Sequence, residues 1–132
     1  MEKTFIMIKP DGIKRGIMGE IISKIEKKGF YILQARLFKP SRDLVEEHYK
    51  EHKEKGFFNE MIDYILSGSV MALEVEGESA IEVMRIIIGD KDPKVAVPGT
   101  IRGDFANSMT TNVIHGSDSA ESARRELDLW FS

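Results

Sequence analysis

Cysteine is absent from this chain of 132 residues. Disulfides, thiolate metal sites and cysteine nucleophiles are thereby excluded, and the absence fits a reducing compartment. A basic excess is missing too. Lys plus Arg total 19 against 22 Asp plus Glu, a net charge of −3, so a general nucleic-acid surface is not expected. No apolar run approaches the ~20 residues of a membrane span. Phe5-Ile6-Met7-Ile8 is too short for the apolar region of a signal peptide, which makes the cytoplasm the expected location. Tryptophan occurs once and histidine three times, so each position that carries one is informative.

What is present is an ordinary globular composition, 42% apolar and 31% charged, long enough for one compact domain over residues 1–132. Phe5 to Ile8 reads as a continuously buried strand, ended by a Lys9-Pro10-Asp11-Gly12 turn. Ile17, Met18, Ile21, Ile22 and Ile25 give a helical stripe, stopped by Gly29. Tyr31 to Phe38 is a second strand. Leu44 to Lys55 reads as a charged helix with little apolar surface. Phe58, Met61, Ile62 and Ile65 form another stripe, and Val70 to Val75 a third strand. Ser79 and Glu82 have capping-box spacing before a helix with Met84 and Ile88 inside. Gly89 to Met109 shows no regular element, and a loop of that length is usually functional or disordered. Val113-Ile114-His115 is a short fourth strand, and a last helix runs from about Ser119 to Leu129. Without the charged middle helices the order is β-α-β-β-α-β. That predicts an α/β protein of the α+β sandwich type, ferredoxin-like, with a four-stranded antiparallel sheet covered by helices on one face.

Two Gly-rich phosphate loops, G-x-x-x-x-G-K-[ST] and G-x-G-x-x-G, do not occur. Phosphates would therefore have to be gripped by side chains, for which Lys9, Arg85, Lys91 and Arg102 are candidates. Arg85 is flanked by Met84 and Ile86-Ile87-Ile88, a setting in which a guanidinium needs an anionic partner or a route to the rim. His115 ends a strand just before Gly116. On the last helix Leu127 and Trp130 lie within about 40° of Ala123, with Glu126 about 60° to one side. Arg124, Arg125 and Asp128 point away, leaving Glu126 as the charged residue aimed inward. A carboxylate on one imidazole nitrogen fixes the tautomer and leaves the other as a free lone pair. Ser117 could join that network. His48 and His52 are spaced i, i+4 but sit among seven charged neighbours, and read as a solvated helix face. Phe57, next to the core residue Phe58, is free to stack on a planar ring, and Tyr49 could line the same cleft.

Taken together, Thr4 to Gly12, Glu47-His48-Tyr49, Pro98 to Phe105 and Asn112 to Ser119 resemble the nucleoside diphosphate kinase family, over essentially the whole chain. The resemblance implies the ferredoxin-like fold and a ping-pong transfer. The γ-phosphoryl of a nucleoside triphosphate, chiefly ATP, passes to His115 and then to a different nucleoside diphosphate. It implies that Glu126 and Ser117 orient the imidazole. Lys9, Tyr49 and Asn112 would lie near the transferred group and the sugar hydroxyl. Arg85 and Arg102 would bind phosphate, Phe57 would stack on the base, and Mg2+ would be held through the phosphates and not by protein ligands. A homo-oligomer is also implied.

Three departures accompany the resemblance. Lys91 stands where the family usually has a phosphate-contacting threonine. Lys94-Val95-Ala96-Val97 is atypical for a loop that serves subunit contacts, leaving hexamer, tetramer and dimer open. The sequence ends at Trp130-Phe131-Ser132, where most members continue. Two other function classes compete: a nucleotide-binding or interaction module without turnover, and nucleic-acid binding through Lys9, Lys14 and Arg15, which the acidic balance disfavours.

Overall fold

A computed structural model describes all 132 residues. Its elements run β1 (Glu2–Ile8), α1 (Pro10–Lys14), α2 (Met18–Lys27), β2 (Tyr31–Phe38), α3 (Arg42–His48), a 3-10 turn (Lys50–His52), α4 (Phe58–Ile65), β3 (Val70–Gly77), α5 (Ala80–Ile88), α6 (Ile101–Phe105), β4 (Ile114–Gly116) and α7 (Ala120–Phe131). The four strands form one antiparallel sheet in the order β2-β3-β1-β4, the ferredoxin-like arrangement expected. Both chain halves thus meet on β1: Glu2 to Ile8 pair with Gly77 to Met71, and Met7 pairs with His115.

One expectation is corrected. Helices cover both faces of the sheet, not one. Strand residues alternate between two buried clusters, as the two-residue period of a strand requires. Ile6, Ile8, Leu73 and Val75 pack with Ile21 and Ile25 of α2 and Met84 and Ile88 of α5. Phe5, Met7, Val70 and Ala72 pack with Val45, Ile62, Ile65 and Trp130 from α3, α4 and α7. This two-sided burial is why Phe5 to Ile8 is uninterruptedly apolar, and each fully buried Ile or Phe contributes about 1.5–3 kcal/mol. The middle helices α3 and α4, left out of the β-α-β-β-α-β order, therefore help build the second layer.

At four places the local structure departs from the sequence signals. Lys9-Pro10-Asp11-Gly12 opens a short helix with Pro at its first turn, where a missing N–H does no harm. Leu44 to Lys55 is not continuous: α3 ends at His48 and a 3-10 turn follows. Ser79 is no cap, because it sits at φ 52 with its side chain unbonded, and the Glu2 carboxylate takes the Ile81 N–H at 2.9 Å instead. The long loop contains α6, capped by Thr100, whose hydroxyl accepts from the Gly103 N–H at 2.9 Å.

Candidate active site

The sheet's register brings the end of β1 beside the start of β4. The Lys9 N–H bonds the Val113 carbonyl at 2.8 Å, and the Lys9 Nζ donates to Asn112 Oδ1 at 2.7 Å. Val113 itself has φ 75, the left-handed region that a β-branched residue strongly disfavours. That strain sits between Asn112 and His115 and turns both side chains to one cleft, a common location for stored backbone strain.

His115 is held from behind. Its Nε2 lies 2.9 Å from Glu126 Oε1, and the Ser117 hydroxyl donates to the same oxygen at 2.6 Å. Ser119 caps α7 by accepting from Ser122 N–H at 3.1 Å, fixing the helix that carries Glu126. Glu126 and Ser117 are buried, and His115 is half-buried with no protein partner on Nδ1. The Glu126 carboxylate can only accept, so Nε2 carries the imidazole proton and Nδ1 presents the lone pair.

Around this nitrogen stand cations without anions. Arg102 is pinned by three carbonyls, Asn112 and Gly89 at 3.3 Å and Ile114 at 2.7 Å. Burial, then the neighbouring Arg85, draw it down to about 10. Burial, then Arg102, pull Lys9 down to about 8. Arg85 is exposed, not embedded, and its head reaches the Gly116 carbonyl at 3.3 Å. None of Lys9, Arg85 or Arg102 has a carboxylate within 4.0 Å. Tyr49 is buried with its hydroxyl unbonded, and burial, aided by Glu126, pushes its ionisation up.

These groups line a cleft of about 660 Å³. It collects Lys9, Tyr49, Phe57, Arg85, Lys91, Arg102, Asn112, His115 and Glu126, with Ser117 behind Glu126. Phe57 lies at its edge, 49% exposed, with the Lys55 ammonium 5.7 Å from its ring centre. Lys91 is exposed and unbonded; with Arg85, Arg102 and Asp118 it also lines an adjoining groove of about 1300 Å³.

Three residues lie elsewhere than the charged neighbours of His48 and His52 and the helix angle of Arg125 predict. His48 is 4% exposed, not solvated: Trp130 Nε1–H donates to its Nδ1 at 2.9 Å, and its ring lies 4.7 Å from that of His115. Burial, then His115 and Arg125, hold His48 well below the usual histidine range. His52 lines the cleft with Nδ1 buried and unbonded. Arg125 does not point away; it folds over α3 to the carbonyls of Glu47 and His48 at 3.3 and 3.2 Å. The lone tryptophan, Trp130, was the available signal for His48.

A rigidly held imidazole faces unneutralised cations on a ferredoxin-like α+β frame, an arrangement that a nucleotide-binding phosphotransferase requires. The comparisons with known proteins agree. The family model described as nucleoside diphosphate kinase matches residues 2–132. A nucleoside diphosphate kinase of Exiguobacterium sibiricum is 56% identical over 131 residues, covering 99% of this chain and 95% of that protein. Among solved structures, the apo enzyme of Encephalitozoon cuniculi superposes with a TM-score of 0.97 at 44% identity, covering 99% and 89% of the two chains. The Halobacterium salinarum enzyme in complex with CDP gives 0.96 at 41%, covering 99% and 88%. The chain belongs to the nucleoside diphosphate kinase family. No helix in it is long and apolar enough to cross a membrane.

Proposed function

We propose that this protein moves the γ-phosphoryl group of a nucleoside triphosphate, chiefly ATP, to a second nucleoside diphosphate by way of His115. The observation that carries the reading is the 2.9 Å bond from Nε2 to Glu126, which leaves Nδ1 as a free lone pair facing unpaired cations. In the first half-reaction Nδ1 attacks the γ-phosphorus, a P–N bond forms, and the P–O bond to the β-phosphate breaks to release the diphosphate. In the second, a β-phosphate oxygen of another diphosphate attacks, and the P–N bond breaks. Glu126 stabilises the imidazolium character that develops at His115, as a buried orienting carboxylate does elsewhere.

Lys9, Arg85 and Arg102 hold the phosphoryl oxygens, where positioning and charge supply most of the catalysis. Lys91 makes a flexible charged contact at the outer phosphate. Asn112 and Tyr49 offer hydrogen bonds to the phosphoryl group and the sugar. Phe57 stacks on the base, a contact every base can make. Mg2+ would come with the nucleotide and would offset the charge of its phosphates. Of the carboxylates that line the cleft, Glu51, Glu60, Asp118 and Glu126, the last is committed to His115 and Ser117; Asp118, which also lines the groove beside Arg85 and Arg102, would add one hard oxygen donor to the phosphate-only holding that the resemblance implies. Residues 1–132 act as one unit, and copies associate, a reading supported by edge strand β2 with exposed Tyr31, Leu33 and Leu37.

The test is labelling by γ-labelled ATP. Acid-labile, base-stable label is expected on the wild type and absent from His115→Ala, and dTDP is expected to discharge it as dTTP. Equal labelling of both proteins overturns the assignment. Nucleotide binding without transfer to dTDP supports a binding module in its place.

A further inference from the structure

His48 is the buried titratable group that the proposed transfer does not use. Its Nδ1 receives the Trp130 indole N–H at 2.9 Å. An indole nitrogen can only donate, so His48 Nδ1 presents a lone pair. An imidazolium here would set one N–H against another. His48 is therefore neutral, with its single proton on Nε2.

That proton faces a particular neighbourhood. The His48 and His115 rings stand edge to face, centres 4.7 Å apart and planes at 80°. One nitrogen of each ring and one Glu126 oxygen lie within 4.8 Å of one another. Two imidazoles and a carboxylate make up a donor set that Zn2+ accepts, provided each ring offers a lone pair. His115 can shift its proton from Nε2 to Nδ1, which meets no protein donor, but His48 cannot offer a lone pair: the nitrogen left free by Trp130 carries the proton. To ligate, the ring would have to move its proton to Nδ1 and leave two buried N–H groups face to face.

We propose that the Trp130 indole N–H locks His48 in the tautomer that cannot ligate, keeping a latent transition-metal site beside His115 closed. The indole thereby guards the cluster against ions that would take its nitrogen lone pairs. The benefit to catalysis rests on His115 being the nucleophile; the tautomer and the metal affinity do not.

The experiment titrates Zn2+ into the full-length protein by calorimetry, with Co2+ absorption as a spectroscopic companion. Trp130→Phe keeps an aromatic ring against Phe5 and Phe38 but removes the donor. It is expected to bind Zn2+ roughly tenfold or more tightly than the wild type, the scale of one buried hydrogen bond, and to show tetrahedral Co2+ bands. Adding His48→Ala is expected to abolish the gain. Equal affinity of wild type and Trp130→Phe overturns the proposal, as does a gain that survives His48→Ala. If Trp130→Phe does not fold, long-range 1H–15N spectra of the wild type decide. With three histidines in the chain, the His48 proton is expected on Nε2, and a proton on Nδ1 refutes the lock. A tighter zinc site that leaves transfer uninhibited would refute His115 as nucleophile while sparing the lock.

Discussion

Replacing Glu126 separates charge from geometry at His115. Both bonds to this side chain, from His115 Nε2 at 2.9 Å and from Ser117 at 2.6 Å, fall on one oxygen, Oε1. The other oxygen lies 3.9 Å from Arg125. In Glu126→Gln the amide oxygen can keep both bonds, with the NH2 turned toward Arg125, so the tautomer survives and the negative charge is lost. Neutral hydrogen bonds are about half as strong as charged ones, which places the loss near 1.4 kcal/mol, or about tenfold in rate. Glu126→Ala loses both bonds and the tautomer preference. A charge-assisted bond of about 1.5–3 kcal/mol then translates to about one to two decades. The Ser117 hydroxyl is left with only the Phe5 carbonyl at 3.5 Å, so the melting temperature is also expected to fall by roughly 2–8 °C. Rapid-quench labelling with γ-labelled ATP gives the phosphorylation rate directly, with circular dichroism as the folding control. The expected order is wild type, then Gln, then Ala. A folded Glu126→Ala that phosphorylates at the wild-type rate would refute the orienting role, and Gln slower than Ala would refute the reasoning about charge and geometry.

Further outcomes follow from the same site. Lys9 is charged below about 8 in the folded chain, so kcat/KM for nucleotide is expected to fall as pH rises through about 8, and Lys9→Gln should lack that limb. Stability runs the other way: between about 8 and the ordinary 10.5 the unfolded chain holds a proton the native one lacks, so Lys9's contribution to stability grows with pH across that window, measurable by denaturant titration. Gly103→Ala would drive a methyl into the Val97 carbonyl and against the Thr100 hydroxyl; a loss of about 2 kcal/mol or more and a higher KM are expected, because Arg102 is its neighbour. Phe57→Ala removes a half-exposed ring. It should raise KM about tenfold for purine and pyrimidine nucleotides alike, within stacking energies of about 1–3 kcal/mol, and leave the melting temperature within about 2 °C; a large melting shift would mark Phe57 as a packing residue.

Much of this was legible because it is periodic. The ferredoxin-like class followed from element order, and the inward Glu126 followed from helix angle, since burial of one carboxylate on an otherwise apolar stripe is a local signal. His48 was hidden because its partner, Trp130, lies 82 residues away, and its near neighbours in sequence are charged. The break after His48 that turns it inward leaves no proline or glycine at that point. α6 escaped notice because five residues are too few to show a period, leaving only the Thr100 cap. Ser79 misled for the opposite reason: the capping spacing is present, but a carboxylate from residue 2 does the capping. Coverage of both sheet faces was misjudged by discarding charged helices whose inner sides carry Val45, Ile62 and Ile65.

The pairing of β1 with β4 also has a temporal meaning. Lys9 meets Asn112 across 103 positions, and Phe5 receives the Ser117 N–H across 112. Contacts of such separation form slowly, since most of the chain must be closed into a loop first. On the ribosome, β1 is made early yet cannot find its second neighbour until β4 emerges. The His115 ring is held by Glu126 only after α7 follows. Until then Phe5, Met7 and the other apolar side chains of β1 lack part of their cover, and this strand is the segment of the nascent chain most in need of protection.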